Sequence, residues 1–295
     1  MRLRQLVLWG LVLLAGWLAL TAWREWHPRA AFAFLAVGQG KCIVIIAPNG
    51  KTLLVDGGSH SYGDPMRGQQ VAERVVLPSL RRLGVQQINA VLVTHPHEDH
   101  CNAIPTVARE MPPALFWQPA ATLADASYLA VETTMRAVGA RTVRLQRGQR
   151  LWLDARHGVV AEVLGPPPNM PAVVGQSDAN EASAVVRVRF GRVSVLLTGD
   201  AGETAQRWLL RSGVDLRSTV LDVPHHGSRH VMAEFLRAVR PAVAVISVGR
   251  NNPFGHPAPS TLMFLQALNA TIWRTDQQGG LVVWTDGTGW RLAGL

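Results

Sequence analysis

The stretch His95-Pro96-His97-Glu98-Asp99-His100 decides how the rest of this chain is interpreted. It follows a short apolar run, residues 90 to 93, which is typical of a buried strand. A loop at a strand end can turn the three imidazoles and the carboxylate of Asp99 inward together. His95 and His97 can then share one metal ion while Asp99 and His100 reach a second. These ligand types suit zinc, and they also suit manganese or iron. The alternative is an exposed histidine-rich turn, which seldom lies directly behind a buried strand.

The composition indicates a folded protein. The chain has 295 residues, of which 48% are hydrophobic and 17% charged, so extended disorder is excluded. No linker follows residue 30, and residues 31 to 295 are therefore interpreted as one domain after an N-terminal segment, residues 1 to 30. The two cysteines are too few for a disulfide framework. We expect Cys42 to pack in the core and Cys101 to pack behind the histidines, with metal ligation by Cys101 as the alternative.

The net charge is +9 and the sequence pI is about 11.0. A surplus of this size favours polyanionic partners, either nucleic acid or an acidic membrane surface. The arginines and lysines form no block, so the charge taken alone is equally compatible with a role in solubility.

Residues 5 to 23 carry no formal charge and form the most apolar segment of the chain. A helix of this length can just cross a bilayer. The preceding flank is more positive than the following one, which predicts a cytoplasmic N-terminus and a domain outside the cytoplasm. We therefore expect a single-pass anchor in the inner (cytoplasmic) membrane, with the domain in the periplasm. A cleaved signal peptide is the alternative, but cutting at Ala31-Phe32-Ala33 would trim the next strand.

Other chemically active groups also follow predicted strands. The strands at 52 to 55, 193 to 197 and 219 to 223 are followed by Asp56-Gly57-Gly58, Asp200 and His225-His226. Strands alternate with helical patterns, which predicts an α/β fold of sheets covered by helices. Functional groups gather where strand ends converge, so we expect all of these side chains at one sheet edge.

Two other segments affect the architecture. Pro78 interrupts a helical pattern over residues 70 to 83, so the pattern does not decide whether the helix is continuous through its middle. Residues 165 to 182 hold four prolines and little periodicity. A loop of this length is typically functional or mobile.

Taken in order, these motifs resemble the metallo-β-lactamase superfamily, and within it the extracellular domain of ComEC-type DNA-uptake channel proteins. The motifs are Val37-Gly38-Gln39-Gly40, Leu53-Leu54-Val55-Asp56-Gly57-Gly58, the histidine hexapeptide, Asn180-x-x-Ser183, Leu197-Thr198-Gly199-Asp200, Pro224-His225-His226-Gly227-Ser228 and Asn252-Pro253-Phe254-Gly255-His256-Pro257. The resemblance covers roughly residues 31 to 295 and implies an αββα sandwich with the metals at one sheet edge. Two departures are Ala36, where the family usually has aspartate, and Lys41, where it commonly has an acidic residue. The third departure is that this chain has one predicted spanning segment in place of the family's channel helices, so we expect a separate channel or competence protein as partner.

The resemblance also implies a role for each site residue, with two divalent ions, Zn²⁺ or Mn²⁺, as cofactors. It implies that His95 and His97 bind metal one, and that Asp99, His100 and His225 bind metal two. Asp200 would bridge the two metals, and Asp56 would orient the ligands. Many related hydrolases place a third histidine on metal one. His157 is the only histidine in that interval and is not assigned, which leaves Asn180 or Ser183 near an open position.

The implied reaction is hydrolysis of a phosphodiester, with Asp99 among the catalytic groups. His226 or His256 would protonate the leaving oxygen, and Ser228 with the Gly227 amide would bind a phosphate oxygen. The substrate would be DNA, most plausibly single-stranded, in connection with DNA uptake. The alternatives are a lactonase or β-lactamase-like hydrolase, which the missing histidine disfavours, and a non-enzymatic DNA-binding module, which the intact ligand motifs disfavour.

Overall fold

The computed structural model describes residues 2 to 118, 125 to 168 and 179 to 295, with the side chains of residues 2 to 4 and 19 to 26 outside the description. Its strands are β1 (Ala30–Phe34), β2 (Ile43–Ile46), β3 (Thr52–Val55), β4 (Ala90–Leu92), β5 (Leu115–Gln118), β6 (Arg141–Arg144), β7 (Arg150–Asp154), β8 (Val159–Val163), β9 (Val186–Phe190), β10 (Val193–Leu197), β11 (Val220–Asp222), β12 (Val243–Ile246), β13 (Thr271–Arg274), β14 (Leu281–Thr285) and β15 (Trp290–Gly294). Its helices are α1 (Arg2–Trp26), α2 (Arg67–Val71), α3 (Leu77–Arg82), α4 (Glu98–Cys101), α5 (Ile104–Glu110), α6 (Ala126–Ala137), α7 (Glu203–Arg211), α8 (Ala233–Val239), α9 (Pro259–Ala267) and α10 (Thr275–Gln278).

Within the described residues these strands form two mixed sheets. The first has the order β15-β14-β1-β2-β3-β4-β5-β6, and it changes from antiparallel to parallel pairing at β3. The second has the order β13-β12-β11-β10-β9-β8-β7, and it changes at β10. The carboxyl ends of parallel neighbours meet at one sheet edge. The predicted site residues follow β3, β4, β10 and β11, so the topology brings them together.

Alternating side chains along each strand divide the core into three layers. In β1, Phe32 and Phe34 pack between the two sheets, whereas Ala33 faces the helices over the first sheet. In β10, Val195 lies between the sheets and Leu196 packs in the cluster that includes residues of α7, α8 and α9. The layers therefore run helix, sheet, sheet, helix, and the predicted αββα sandwich is confirmed.

The helix predicted over residues 70 to 83 begins earlier, at Arg67, and tolerates Pro78. A π-helical turn, Ala72–Val76, joins α2 to α3, and Pro78 lies in the first turn of α3. The π-helical turn directly precedes Pro78, and such a turn changes the hydrogen-bond pattern of the helix at the point where proline supplies no amide.

The N-terminal segment forms the predicted helix. In α1 the large apolar side chains between residues 6 and 18 are exposed. Across the described residues, no helix is both long and apolar enough to cross a membrane, so the structure does not support the predicted span. Part of that prediction, the side chains of residues 19 to 23, lies outside the description.

Two other segments differ from the sequence analysis. The edge strand β15 is not predicted, because most of its side chains are exposed and the alternation that marks a half-buried strand is absent. Most of the predicted loop at 165 to 182 lies outside the described residues, since residues 169 to 178 are not described.

Candidate metal centre

Polar side chains from four strand ends converge on a cavity of about 400 Å³. Asp56 follows β3, the hexapeptide follows β4, Asp200 follows β10, and His225 with His226 follows β11. Residues that follow strands of both sheets therefore meet at the site, whereas the sequence analysis expected them at the edge of one sheet.

Four of these residues form a compact cluster. One ligand atom each from Asp99, His100, Asp200 and His226 lies within 4.8 Å of all the others. The Nε2 atom of His226 is 3.1 Å from Asp99 Oδ2 and 3.5 Å from Asp200 Oδ2. His226 Nδ1 donates a hydrogen bond to the Ser247 carbonyl at 2.7 Å, which leaves Nε2 free to bind a cation.

The sequence analysis gave this position to His225 and a proton-donor role to His226. In the structure His226, rather than His225, lies in the compact cluster, because the carbonyl of Ser247 turns the ring of His226 inward. The side chain of His225 is 28% exposed, and its Nε2 is 3.8 Å from Asp200 Oδ2.

Asp200 faces imidazoles on both of its oxygens. Oδ1 is 3.2 Å from His100 Nε2, whereas Oδ2 is 4.0 Å from His95 Nε2. Nε2 of His226 (3.5 Å) and Nε2 of His225 (3.8 Å) also face Oδ2, and the ring of His97 lies 4.8 Å from that of His95. The carboxylate therefore has imidazoles next to both of its oxygens.

The donor set fits divalent cations. His95 Nε2, His100 Nε2 and Asp200 Oδ1 are buried and have no hydrogen-bond partner among the described residues. Buried polar atoms without partners are uncommon in folded proteins, and here they point at one another. Imidazole nitrogens and carboxylate oxygens at such separations are the ligands of zinc and manganese.

Asp56 lies beside His100 and holds its ring in place. Its Oδ2 atom is 2.8 Å from His100 Nδ1, so Nε2 of the same ring points at the cluster. The carboxylate also accepts hydrogen bonds from the amide and hydroxyl of Thr94, at 2.7 and 2.8 Å. Asp56 has a left-handed backbone (φ 56°), a strained conformation that often occurs at functional sites.

Lys41 lies completely buried beneath Asp200. Its Nζ donates to the carbonyls of Gly199 (2.6 Å) and Val223 (3.1 Å) and to Asp222 Oδ2 (3.1 Å), and it lies 3.6 Å from Asp200 Oδ1. Burial alone would lower the pKa of Lys41, but the attraction of Asp222 and Asp200 outweighs it and raises the pKa. The ammonium therefore joins the loops after β10 and β11. The sequence marks Lys41 only as a departure from the family pattern.

The carboxylates set the charge of the centre. Burial disfavours a charged His100, but Asp200, Asp56 and Asp99 outweigh it and raise its pKa well above the usual value. The pKa of His95 is lowered by burial and by the proximity of His100. Burial would raise the pKa of Asp99 and Asp200, but the neighbouring histidines hold both below the usual range. The centre is thus a concentrated pair of carboxylates, which attracts cations.

The segment after β11 has a strained backbone. His225 and His226 both adopt left-handed conformations, with φ of 48° and 53°. Such angles are rare in consecutive residues other than glycine, and they point the two adjacent rings at different parts of the cavity.

Three predicted polar residues have different surroundings. Asn180 lines the cavity, and its buried Oδ1 has no hydrogen-bond partner among the described residues. Ser183 is buried behind Asp200, and its hydroxyl accepts a hydrogen bond from the amide of Asp200 at 3.1 Å. Ser228 does not line the cavity; its hydroxyl accepts from the amide of His230, so the predicted contact with a phosphate is not supported.

His256 lies on the cavity wall, with its ring 6.2 Å from that of His226. Asn252 positions it by accepting from its amide and donating to its carbonyl. Burial, with the nearby His226 and His225, lowers the pKa of His256 to about 4. The ring is therefore neutral at pH 7 and offers a hydrogen bond rather than a spare proton.

Two further residues that the sequence analysis considers, His157 and Cys101, are not among those that line the cavity. His157, which the sequence analysis leaves unassigned, pairs with Asp154 at 2.8 Å. Cys101 is buried among the apolar residues between the first sheet and its helices, as packing requires.

Sequence reasoning missed part of the cavity wall. Gln39, Glu98, Asp125 and Phe254 line it, in addition to the predicted ligands. Gln39 belongs to the Val-Gly-Gln-Gly motif, and its side chain accepts a hydrogen bond from the amide of Gly249 at 3.0 Å. The motif draws attention to Gln39, but glutamine belongs to no metal-ligand pattern, so the sequence does not predict that it lies at the site.

The fold and the site define a class: two facing sheets between helices, with a histidine and carboxylate centre where strand ends of both sheets meet. A family model described as the metallo-beta-lactamase superfamily matches residues 35–250, and the chain belongs to that superfamily. Among solved structures, the metallo-beta-lactamase fold protein YhfI of Bacillus subtilis has a TM-score of 0.51 at 11% identity, covering 86% of this chain and 99% of that one.

Three curated relatives place the chain more narrowly. It is 29% identical to ComE operon protein 3 of Bacillus subtilis over 82% of this chain and 31% of that protein. It is 31% identical to Recombination protein 2 of Haemophilus influenzae over 83% of this chain and 27% of that protein. It is 28% identical to competence protein ComA of Neisseria gonorrhoeae over 92% of this chain and 35% of that protein. The matched region thus spans about a third of each relative, and the predicted relation to competence proteins is confirmed.

Proposed function

We propose that this protein is a metal-dependent phosphodiesterase that cleaves DNA in connection with DNA uptake. The observation that carries the proposal is Asp200, a buried carboxylate with imidazole nitrogens beside both of its oxygens: His100 at Oδ1, and His226, His225 and His95 at Oδ2. A carboxylate in this position suits a bridge between two ions, and membership in the superfamily supports a metal-dependent hydrolase.

The residues divide between the two ions. His95 and His97 would hold one ion, with His225 at the position that the sequence left open. Asp99, His100 and His226 would hold the other, and Asp200 would bridge them. When bound, two such ions, Zn²⁺ or Mn²⁺, activate water and stabilise charge on a phosphoryl group.

Other side chains act on the substrate. Asn180 and His256 line the cavity without being in the four-residue cluster, and each can donate a hydrogen bond to a phosphate or leaving oxygen. Because His256 is neutral at pH 7, its contribution is orientation and charge stabilisation rather than proton transfer.

DNA is the proposed substrate because two lines of reasoning agree on it. The net charge of +9 favours a polyanion, and curated relatives carry the names competence protein and recombination protein. A separate channel or competence protein is the proposed partner, since a relative that the chain resembles carries the name competence protein.

We also propose that α1 attaches the domain to the cytoplasmic membrane, with the domain on the periplasmic side. The support is the uncharged segment 5 to 23 and the exposure of its apolar side chains up to residue 18. Fractionation of cells that express the whole chain tests this proposal, with periplasmic protease accessibility for its orientation. Recovery of the chain in the soluble fraction would contradict it.

The test of the proposed activity is cleavage of single-stranded DNA by the purified chain with Mn²⁺ or Zn²⁺. We expect cleavage to disappear with Asp200→Asn and to persist with His157→Gln, which changes a histidine outside the site. Intact DNA with every divalent ion tried would overturn the proposal. Turnover of a lactone or β-lactam instead would establish the lactonase or β-lactamase-like alternative.

A further inference from the structure

A line of cavities continues from the metal centre along one side of the molecule. The site cavity shares Gln39 with a second cavity of about 440 Å³. Ala36, Gly38 and Arg67 line both this cavity and a third of about 150 Å³. We call these two neighbouring cavities, lined by Tyr62, Arg67, Arg74 and Arg250 among others, the arginine groove.

The groove is open partly because of Ala36. This residue lines both of its cavities, at a position where a resemblance to the family predicts aspartate. The methyl group leaves space, and no carboxylate at this position neutralises the neighbouring arginines. The departure from the family pattern therefore changes the charge as well as the shape of the groove.

Three guanidinium groups in the groove have no carboxylate partner among the described residues. Arg67 is half-buried, and its buried Nε has no hydrogen-bond partner there. Arg250 donates its Nε to the backbone carbonyl of Asp276 at 2.7 Å, which fixes the side chain and leaves its charge uncompensated. Asp276, which also lines the groove, is paired with Arg274 at 2.7 Å. Arg74 is exposed, two turns after Arg67 on the same helical segment.

Exposed aromatic rings stand between the metal centre and the groove. Tyr62 is 52% exposed and Phe254 is 44% exposed. The ring of His60 lies between them, 4.5 Å from Tyr62 and 5.1 Å from Phe254. Exposed rings beside unpaired arginines combine the two features that hold a single-stranded nucleic acid, which are base stacking and phosphate contact.

We propose that the arginine groove and these rings form a binding site for a single-stranded polynucleotide that extends from the metal centre. Phosphates bind Arg67, Arg74 and Arg250, and bases stack on Tyr62 and Phe254. The proposal rests on the proposed function for its orientation, since it places the bond to be cleaved at the metal centre. A duplex does not fit this arrangement, because its bases are stacked on each other and present no free face to the rings.

The test measures binding apart from cleavage. The full chain is titrated, in EDTA, into a fluorescein-labelled oligothymidine of 15 nucleotides, and anisotropy is followed at several salt concentrations. Each lost phosphate contact lowers the salt slope of log K by about 0.7 for a single strand. We expect Arg67→Gln/Arg250→Gln to lower the slope by about 1.4 and to weaken binding about tenfold or more. Arg211→Gln, an exposed arginine on α7 that lines none of these cavities, is the matched control and should leave the slope unchanged.

The aromatic contribution is tested separately. Tyr62→Leu and Phe254→Leu should each weaken binding of the oligothymidine by about fivefold or more, since stacking contributes at this scale. Neither should weaken binding of a 15-base-pair duplex. Trp152→Leu changes another exposed aromatic residue, one outside the site, and should have no effect.

Hydrolysis of bis(p-nitrophenyl) phosphate with Mn²⁺ separates this proposal from the proposed function. The diester is too small to reach the groove, so Arg67→Gln/Arg250→Gln should turn it over like the wild type, which also shows that this variant folds. An unchanged salt slope with normal diester turnover would overturn the groove and leave the function. Binding that depends on the groove without turnover of any diester would overturn the function and leave the groove. Equal affinity for duplex and single strand would overturn the assignment to single strands.

Discussion

At the scale of single residues, the most unusual feature of the centre is a positive charge inside it. Lys41 lies beside Asp222 and Asp200 with its ammonium completely buried. Burying an ion costs several kcal/mol, so the ammonium is stable there only because two carbonyls and a carboxylate surround it. Its contacts hold the Asp200 loop against the loop after β11.

We expect Lys41→Met to lower the free energy of unfolding by about 3 kcal/mol, because Asp222 would remain buried without a cation. Urea denaturation of the metal-free protein measures the change. Lys41→Met/Asp222→Asn removes both charges and should recover more than half of the loss. Asp215→Asn, which breaks an exposed pair with Arg217, is the control and should change little. A single Lys41 variant as stable as the wild type would contradict this account.

The adjacent histidines at 225 and 226 should differ in their effect on metal binding. His226 belongs to the compact cluster of four and His225 does not, so His226→Gln should weaken metal binding by about 100-fold. His225→Gln should weaken it less. Competition with a chromophoric chelator measures the affinity of each variant. A larger loss of metal affinity in His225→Gln would restore the assignment made from the sequence.

At the scale of elements, the centre depends on how closely the loop after β3 approaches α4. Gly57 donates to the carbonyl of His100 at 2.7 Å and accepts from the amide of Ala103 at 2.9 Å. A Cβ on Gly58 would lie 2.6 Å from the carbonyl carbon of Asp99 and 2.7 Å from the amide of Cys101. Glycine at position 58 is therefore required by backbone proximity rather than by a positive φ.

We expect Gly58→Ala to displace α4, because the added methyl group would meet the backbone that carries Asp99 and His100. Metal affinity should fall by about tenfold or more, and the unfolding temperature should fall with it. Gly294→Ala is the matched control, since a Cβ there meets no atom within 4 Å. Isothermal titration with Mn²⁺ and thermal unfolding measure the two effects, and unchanged metal affinity would show that the loop has room to move.

At the scale of the whole molecule, the centre joins the two sheets. Asp56 and the hexapeptide follow strands of the first sheet, whereas Asp200 and His226 follow strands of the second. An ion bound by residues of both sheets binds the folded state and not the unfolded chain, so it stabilises the fold as a whole.

Removal of metal should therefore lower the unfolding temperature. At an ion concentration of about 100 times Kd, binding stabilises the fold by about 2.7 kcal/mol, or about 5 °C for a chain of this size. Calorimetry with Mn²⁺ and with EDTA measures the difference. The same comparison in Asp200→Asn should show little or none. An equal shift in that variant would mean that the ion binds elsewhere.

How much of the fold and of the site the sequence predicts depends on whether the interactions join residues close together or far apart in the chain. The hexapeptide predicts a metal site because four metal-binding side chains within six residues seldom occur together outside one. The strand and helix patterns predict sheets covered by helices, and the resemblance of the motifs to the superfamily implies the αββα order of layers. The edge strand β15 could not, because its exposed side chains carry no alternation.

The sequence by itself determined which ligand types are present, that they follow strand ends, and which superfamily they belong to. Only the tertiary structure decided that His226 and not His225 completes the cluster, since the choice depends on the carbonyl of Ser247 at the end of another strand. It also decided that Lys41 is buried under Asp200 and that Arg67 and Arg250 share one groove. Such contacts join residues far apart in the chain, and they arise when the strands pair and the two sheets pack together.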